Sequence, residues 1–331
     1  MLRLSDFDYR LPKELIAQYP PEARDEARLL IVERKTGALT HARFRDITAY
    51  FKAGDLLVLN DTRVLSCRLK GKRASGGKVE VMLLGRKEGM VFSCLLKPAG
   101  RLKKGEKIVF NGGSVFGEVK AKDEIVFNTS DAESIYRLGV MPLPPYIKRE
   151  AEERDNVYYQ TVYAKNDGAV ASPTAGLHFT ENLLQKISLQ RVSIAFLTLH
   201  VGVGTFKPVK HEVITAHKME PEYFEISDYA ADRIDKAKKE KSRIIAVGTT
   251  SLRALETYAG GIKKGYTDLF IYPGYDFKLA GSLLTNFHLP KTTLFMLVCA
   301  FLGEKLAKEA YLEAVENKYR FYSYGDAMLI L

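Results

Sequence analysis

The residues best suited to chemistry in this 331-residue chain are histidines set among small residues. His178 ends the run GAVASPTAGLH, and His200 opens HVGVGTF. Gly, Ala, Ser, Thr and Pro make turns that bring backbone N–H groups and imidazoles close to whatever lies above them. Such turns suit a ligand pocket better than a core, although a plain structural turn can also be Gly-rich. The helical pattern from Thr180 puts His178 beside a helix N-terminus, where the dipole disfavours imidazolium. A neutral imidazole can accept a proton, which makes His178 the first candidate for a general base. Helix capping or packing is its competing role. His288 stands with Asn286 and Lys291 in TNFHLPK, just ahead of an apolar helical pattern, and the three polar groups read as a pocket rim.

In IIAVGTTSLRALE (244–256) a buried strand runs into a helix whose first turn carries Thr249 and Thr250. Open N–H groups there suit a carboxylate or phosphate. Arg253 and Glu256 follow one turn apart, though an ordinary N-cap with a surface ion pair would look the same. Tyr272 and Tyr275 flank a Pro-Gly turn as candidate stacking platforms. His211, His217, Glu220 and Glu222 cluster without HExxH or any spacing of known ligand geometry, so no metal is expected. Two nucleotide motifs fail. Gly202-Val203-Gly204 is followed by Pro208, which disrupts the helix a dinucleotide turn needs, and no GxxxxGK[ST] occurs.

The elements that position these groups divide into two kinds. From Asp55 to Phe127, short apolar runs are broken by ASGG, RKEG, PAGRLKKG and NGG, the pattern of a small antiparallel barrel or sandwich. MPLPPYIKR (141–149) closes it. Beyond, RVSIAFLTLHV, SRIIAVGT and TDLFIY read as buried strands. They alternate with helical patterns at 227–241, 251–259, 292–302 and 304–319. The fold class is therefore α/β: an α/β layered main domain with an inserted small antiparallel β-barrel domain. Residues 1–65 plus 149–331 are expected to form the discontinuous main domain, and 66–148 the insert.

Charge is unevenly spread. The formal net is +10, and between Ser66 and Lys107 twelve Lys and Arg face three Glu. A solvated basic surface is the plain reading; a polyanion partner, nucleic acid first, is the functional one. No signal-peptide pattern opens the chain, no apolar run is long enough to span a bilayer, and the three cysteines are isolated. A cytoplasmic protein with reduced thiols and no membrane partner is expected.

Taken together, these blocks resemble the S-adenosylmethionine:tRNA ribosyltransferase-isomerase family of queuosine biosynthesis. The resemblance runs through FDYRLPKELIAQYP (7–20), DLLVLNDTRVLSCRLKGK (55–72), GGKVEVMLL (76–84), MPLPPYIKR, YQTVYA (159–164) and the blocks above, to YRFYSYGDAMLI (319–330). It departs at Glu220, where the family often has His, and at Gly281, where it often has Asp. It implies S-adenosylmethionine as co-substrate and ribosyl donor, with no metal. The partner would be a tRNA carrying 7-aminomethyl-7-deazaguanine at the wobble position, and the chain a monomer.

Roles follow from that resemblance. His178, then His288, would remove a proton from the ribose carbon beside the sulfonium. Asn60, Asp61 and Arg63 would hydrogen-bond the departing adenine. Glu222 or Glu256 would deprotonate the base's amine, while Thr249, Thr250 and Arg253 would hold the methionine carboxylate. Tyr272 or Tyr275 would face the sulfonium. Thr174, His200 and Asn286 complete the donor site, and Lys70, Lys72, Arg73, Arg101, Lys103, Lys104 and Lys291 would bind RNA. The rivals are an S-adenosylmethionine-dependent RNA methyltransferase, a non-catalytic RNA-binding protein and a metal hydrolase.

Overall fold

The computed structural model describes residues 2–110, 113–206 and 209–331. Lys207 and Pro208, on which the argument against a dinucleotide turn rested, lie outside the described residues. A hairpin of β1 (Arg28–Val32) and β2 (Leu39–Arg43) precedes β3 (Leu56–Asn60). Leu56 and Val58 of β3 pack on one face of the sheet, Leu57 and Leu59 on the other. A strand apolar on both sides belongs in the interior of a parallel sheet, and β3 lies there.

From β3 the chain passes through β4 (Thr62–Val64) into the insert. Its strands are β5 (Arg68–Arg73), β6 (Lys78–Arg86), β7 (Val91–Lys97), β8 (Lys107–Phe110), β9 (Val115–Ala121) and β10 (Glu124–Phe127). They close into an antiparallel barrel in the order β10-β7-β6-β5-β8-β9. Alternate residues such as Leu69, Val81, Phe92, Ile108 and Ile125 fill the bore. Gly71 is required there, because a Cβ would lie 2.6 Å from Ile108. The return path carries α1 (Ala132–Arg137) and α2 (Asp155–Tyr158), and β11 (Asn166–Ala169) pairs in parallel with β4 at the neck of the insert. Met141, Leu143, Ile147 and Tyr159 of this path pack with Ala17, Leu177 and Tyr324 of the main body.

The remaining elements are α3 (Glu181–Leu189), β12 (Ser193–Leu199), β13 (Glu222–Glu225), α4 (Asp228–Lys239), β14 (Ile244–Val247) and α5 (Gly248–Ala259). After them come β15 (Lys264–Thr267), β16 (Ser282–Asn286), α6 (Thr293–Leu302), α7 (Glu304–Glu316) and β17 (Ala327–Ile330). Nine strands form one mixed sheet, β15-β13-β12-β3-β14-β16-β17-β1-β2, whose centre β12-β3-β14-β16 is parallel. Apolar residues of α4 to α7 cover one face, and α3 with Phe44, Ile47 and Phe51 covers the other. The α/β class with an inserted barrel is thus the architecture observed. TDLFIY differs from expectation: pairing stops at Thr267, and Ile271 is buried without a ladder. Its apolar content reports burial, and periodicity cannot separate the two in so short a run. No helix among the described residues is long and apolar enough to cross a membrane.

Candidate active site

The parallel strands deliver their last residues to one edge of the sheet, where open α/β folds bind ligands. β3 brings Asn60, β14 runs straight into Gly248 of α5, and β16 ends at Asn286, two residues before His288. A narrow cleft, partly open to solvent, lies there. Its wall includes Ala171–Ala175, Gly248–Thr250, Thr285, Asn286, His288, Leu294, Tyr146, Tyr159, Tyr322 and Ser323. Among the described residues, no Asp, Glu, Lys or Arg lines it.

Each part of the wall has a local cause. Gly248 adopts φ +86, turning the end of β14 into α5, a conformation that costs glycine little. No side chain caps the start of α5, so the first N–H groups are left to whatever enters the cleft. The turn Thr174–His178 packs tightly on Tyr163: a Cβ at Gly176 would lie 2.1 Å from the Tyr163 hydroxyl oxygen. Thr174 Oγ1 donates to Asn286 Oδ1 at 2.9 Å, and Asn286 Nδ2 meets His178 Nε2 at 3.2 Å. Tyr322 sits at φ +73, which bulky residues rarely adopt. Its ring meets that of Tyr146 edge to face, centroids 3.9 Å apart. Ser172 Oγ is buried on the wall without a hydrogen-bond partner, as expected of a polar atom that serves a ligand, and the buried Tyr159 hydroxyl lies beside the Ser172 backbone and Ser323.

The two leading imidazoles differ in access. His288 is on the wall, with Nδ1 3.4 Å from Tyr311 Oη and Nε2 3.4 Å from Thr285 Oγ1. His178 lies behind Asn286, its ring 5.0 Å from Phe44. Burial pushes His288 down to about 3 and is the main cause that takes His178 down to about 4. Both rings are neutral near pH 7.

Thr174, Thr249, Thr250, Asn286 and His288 are therefore brought together, and other expected residues are not. Asn60 Oδ1 accepts from the N–H groups of Thr62 and Leu199, while Nδ2 donates to the Leu199 carbonyl at 2.9 Å and to Thr250 at 3.3 Å. Asp61 accepts from Thr198 at 2.7 Å and Asn166 at 3.1 Å. Arg63 pairs with Asp167 at 2.5 Å on the surface. His200 bonds Thr62 at 2.8 Å and stacks on Tyr223. Arg253 and Glu222 form a buried ion pair, braced by the Leu269 carbonyl and the Gly202 N–H. Glu256 accepts from the N–H groups of Lys278, Leu279 and Ala280 and from Tyr275. Tyr272 packs against Phe270. Asn60, Glu222, Arg253 and Glu256 in particular spend their polar atoms on the scaffold. Among the described residues no cluster of three His, Cys, Asp or Glu is arranged for a metal. Tyr146, Tyr159, Ser172, Tyr322 and Ser323 were missed as site residues, although the blocks containing them were noted.

On the barrel, Lys70, Lys72, Lys78 and Lys97 line an open groove with Glu80 and Glu150. Lys72 faces Lys78 across the β5–β6 ladder. Lys70 pairs with Glu150 at 2.5 Å, four residues from Tyr146 of the cleft. Arg73 is held by Glu106 at 2.5 Å, while Arg101, Lys103 and Lys104 are exposed on the β7–β8 loop. Lys291 pairs with Asp8 at 2.7 Å.

A mixed α/β sheet with a cleft at its parallel strand ends, and a lysine-grooved barrel spliced in beside it, defines a two-part α/β protein. A family model described as "Queuosine biosynthesis protein" matches residues 4–330. The chain is 51% identical over 337 residues to the S-adenosylmethionine:tRNA ribosyltransferase-isomerase of Sulfurihydrogenibium sp. (strain YO3AOP1), covering 100% of both. It is 49% identical over 343 residues to that of Staphylococcus epidermidis (strain ATCC 12228 / FDA PCI 1200), again over 100% of both. A crystal structure of S-adenosylmethionine tRNA ribosyltransferase from Thermotoga maritima aligns with TM-score 0.59 and 36% identity, over 98% of this chain and 100% of that one. The chain belongs to the queuosine-biosynthesis family of S-adenosylmethionine:tRNA ribosyltransferase-isomerases.

Proposed function

We propose that this chain transfers and isomerises the ribosyl group of S-adenosylmethionine onto 7-aminomethyl-7-deazaguanine at the tRNA wobble position. The products are epoxyqueuosine-tRNA, adenine and methionine. The observation that carries this reading is the 51% identity to a ribosyltransferase-isomerase over the whole of both chains. The unpartnered Ser172 hydroxyl and the uncapped start of α5 support a polar nucleoside in the cleft.

In this reading Thr249 and Thr250 receive the donor's carboxylate at the α5 terminus. Tyr146 and Tyr322 offer ring faces to the sulfonium, which meets no carboxylate on the described wall; a desolvated cation–π contact contributes about 2 kcal/mol. His288 takes the ribose proton on Nε2 once its long contact with Thr285 Oγ1 gives way to the substrate, using the tautomer whose Nδ1–H points to Tyr311 Oη. The barrel lysines grip phosphates on either side of an extruded anticodon nucleotide. The main unit, 1–65 with 149–331, does the chemistry with Tyr146 reaching in from the insert, and the rest of 66–148 seats the RNA. Incubation with S-adenosylmethionine and precursor tRNA should release adenine and methionine together. Release of S-adenosylhomocysteine would make it a methyltransferase, and RNA binding without any product would make it a binding protein.

A further inference from the structure

The hydrogen bonds behind the cleft wall admit one polarity. Asn286 Nδ2 lies 3.4 Å from the Asp326 backbone carbonyl, which can only accept, so this atom is the amide nitrogen and donates. It also reaches His178 Nε2 at 3.2 Å, which must then accept. The imidazole proton therefore sits on Nδ1, with the Arg24 backbone carbonyl as its partner. Asn286 is left with Oδ1 toward Thr174, and Oδ1 accepts the Thr174 hydroxyl proton at 2.9 Å. Both residues line the cleft. Once these protons are placed, Thr174 Oγ1 and Asn286 Oδ1 have lone pairs to offer and no hydrogen to give. A ligand atom seated against them must carry N–H or O–H.

We propose that Thr174 and Asn286 form an acceptor-only subsite that reads an amino group of the donor substrate, and that His178 is a positioning residue that, with the Asp326 carbonyl, holds its polarity from behind. This rests on the cleft being the donor site. It also gives His178 work other than proton abstraction: with Nε2 accepting and Nδ1 donating, the ring has no free lone pair for a substrate proton. The amino group could be the 6-amino group of adenine or the α-ammonium of methionine, which have the same donor chemistry.

Titration calorimetry with three ligands separates these sources: S-adenosylmethionine, its analogue with hypoxanthine for adenine, and its analogue lacking the α-amino group. The parent should bind one analogue about tenfold or more weaker than S-adenosylmethionine, the effect of an acceptor pair left without its donor. That analogue names the group read. Gln at position 178 can accept from Asn286 and donate to Arg24, so His178→Gln should keep the ratio. His178→Leu takes away one of the two acceptors that hold the amide nitrogen, the Asp326 carbonyl remaining, and should lower the ratio; Asn286→Leu removes the acceptor and should bring it toward one. Lost folding would weaken all ligands alike and leave the ratio of any residual binding untouched. Equal affinity of the parent for all three ligands, or a ratio that survives His178→Leu or Asn286→Leu, overturns the proposal. Leu294→Trp tests the premise separately by filling the cleft from its rim: donor affinity unmoved by it sinks the donor-site reading, not the polarity argument.

Discussion

Two neutral imidazoles in the interior make the fold acid-sensitive in a calculable way. Burial holds His178 at about 4 and His288 at about 3, against 6.5 for an unperturbed imidazole. As pH falls, the unfolded chain takes up these protons first, so stability is intact well above 6.5 and drains as pH drops toward the folded values. Integrating from pH 8 to pH 5 gives a loss of about 2 kcal/mol for each ring, about 4 for both. That is a large part of the 5–15 kcal/mol typical of a folded domain. His200 and His217 are also shifted down by burial and add to the loss in the same direction. Urea midpoints followed by circular dichroism between pH 8 and pH 5 measure it. His178→Gln and His288→Gln should each flatten the curve, and the pair should remove about 4 kcal/mol of the decline. If the double variant loses as much stability between those pH values as the parent, the rings are not buried neutral and the reasoning fails.

Two further outcomes follow from the ion pairs and the lysines. Glu222→Gln leaves Arg253 charged and buried, and should cost about 3–5 kcal/mol in unfolding while leaving donor affinity within a few-fold; unchanged stability with lost donor binding would move Glu222 into the site. Lys72→Ala, Lys78→Ala and Lys97→Ala together should weaken tRNA binding and lower the slope of log affinity against log salt by about 2, and Lys103→Ala with Lys104→Ala by about 1. Filter binding across a salt series checks both, and an unaltered slope removes the barrel as the RNA seat.

How far the sequence speaks depends on the range of the interaction. The barrel was legible because its signal is local: every strand from β5 to β10 coincides with an apolar run bounded by turn residues. Helices α4 to α7 were legible from their apolar periodicity. β16 was not, because Thr285 and Asn286 gave its end the look of a polar loop. The site was legible as blocks and poorly legible as roles. Asn60 looks like a ligand contact until Leu199, 139 residues away, is seen to occupy both ends of its amide. His178 looks like a base until Asn286, 108 residues away, is seen to stand in front of it. Tyr146 comes from the irregular return path of the insert and Tyr322 from an irregular segment near the C-terminus, and only folding makes them neighbours.

The absence of formal charge on the described cleft wall separates the two substrates by physics. Dissolved ions screen attraction between full charges, whereas hydrogen bonds, ring faces and a helix start buried at short range are largely shielded from them. Raising ionic strength should therefore loosen the nucleic acid long before it disturbs the nucleoside. Salt then becomes a dial that strips one reactant from the enzyme while the other stays loaded.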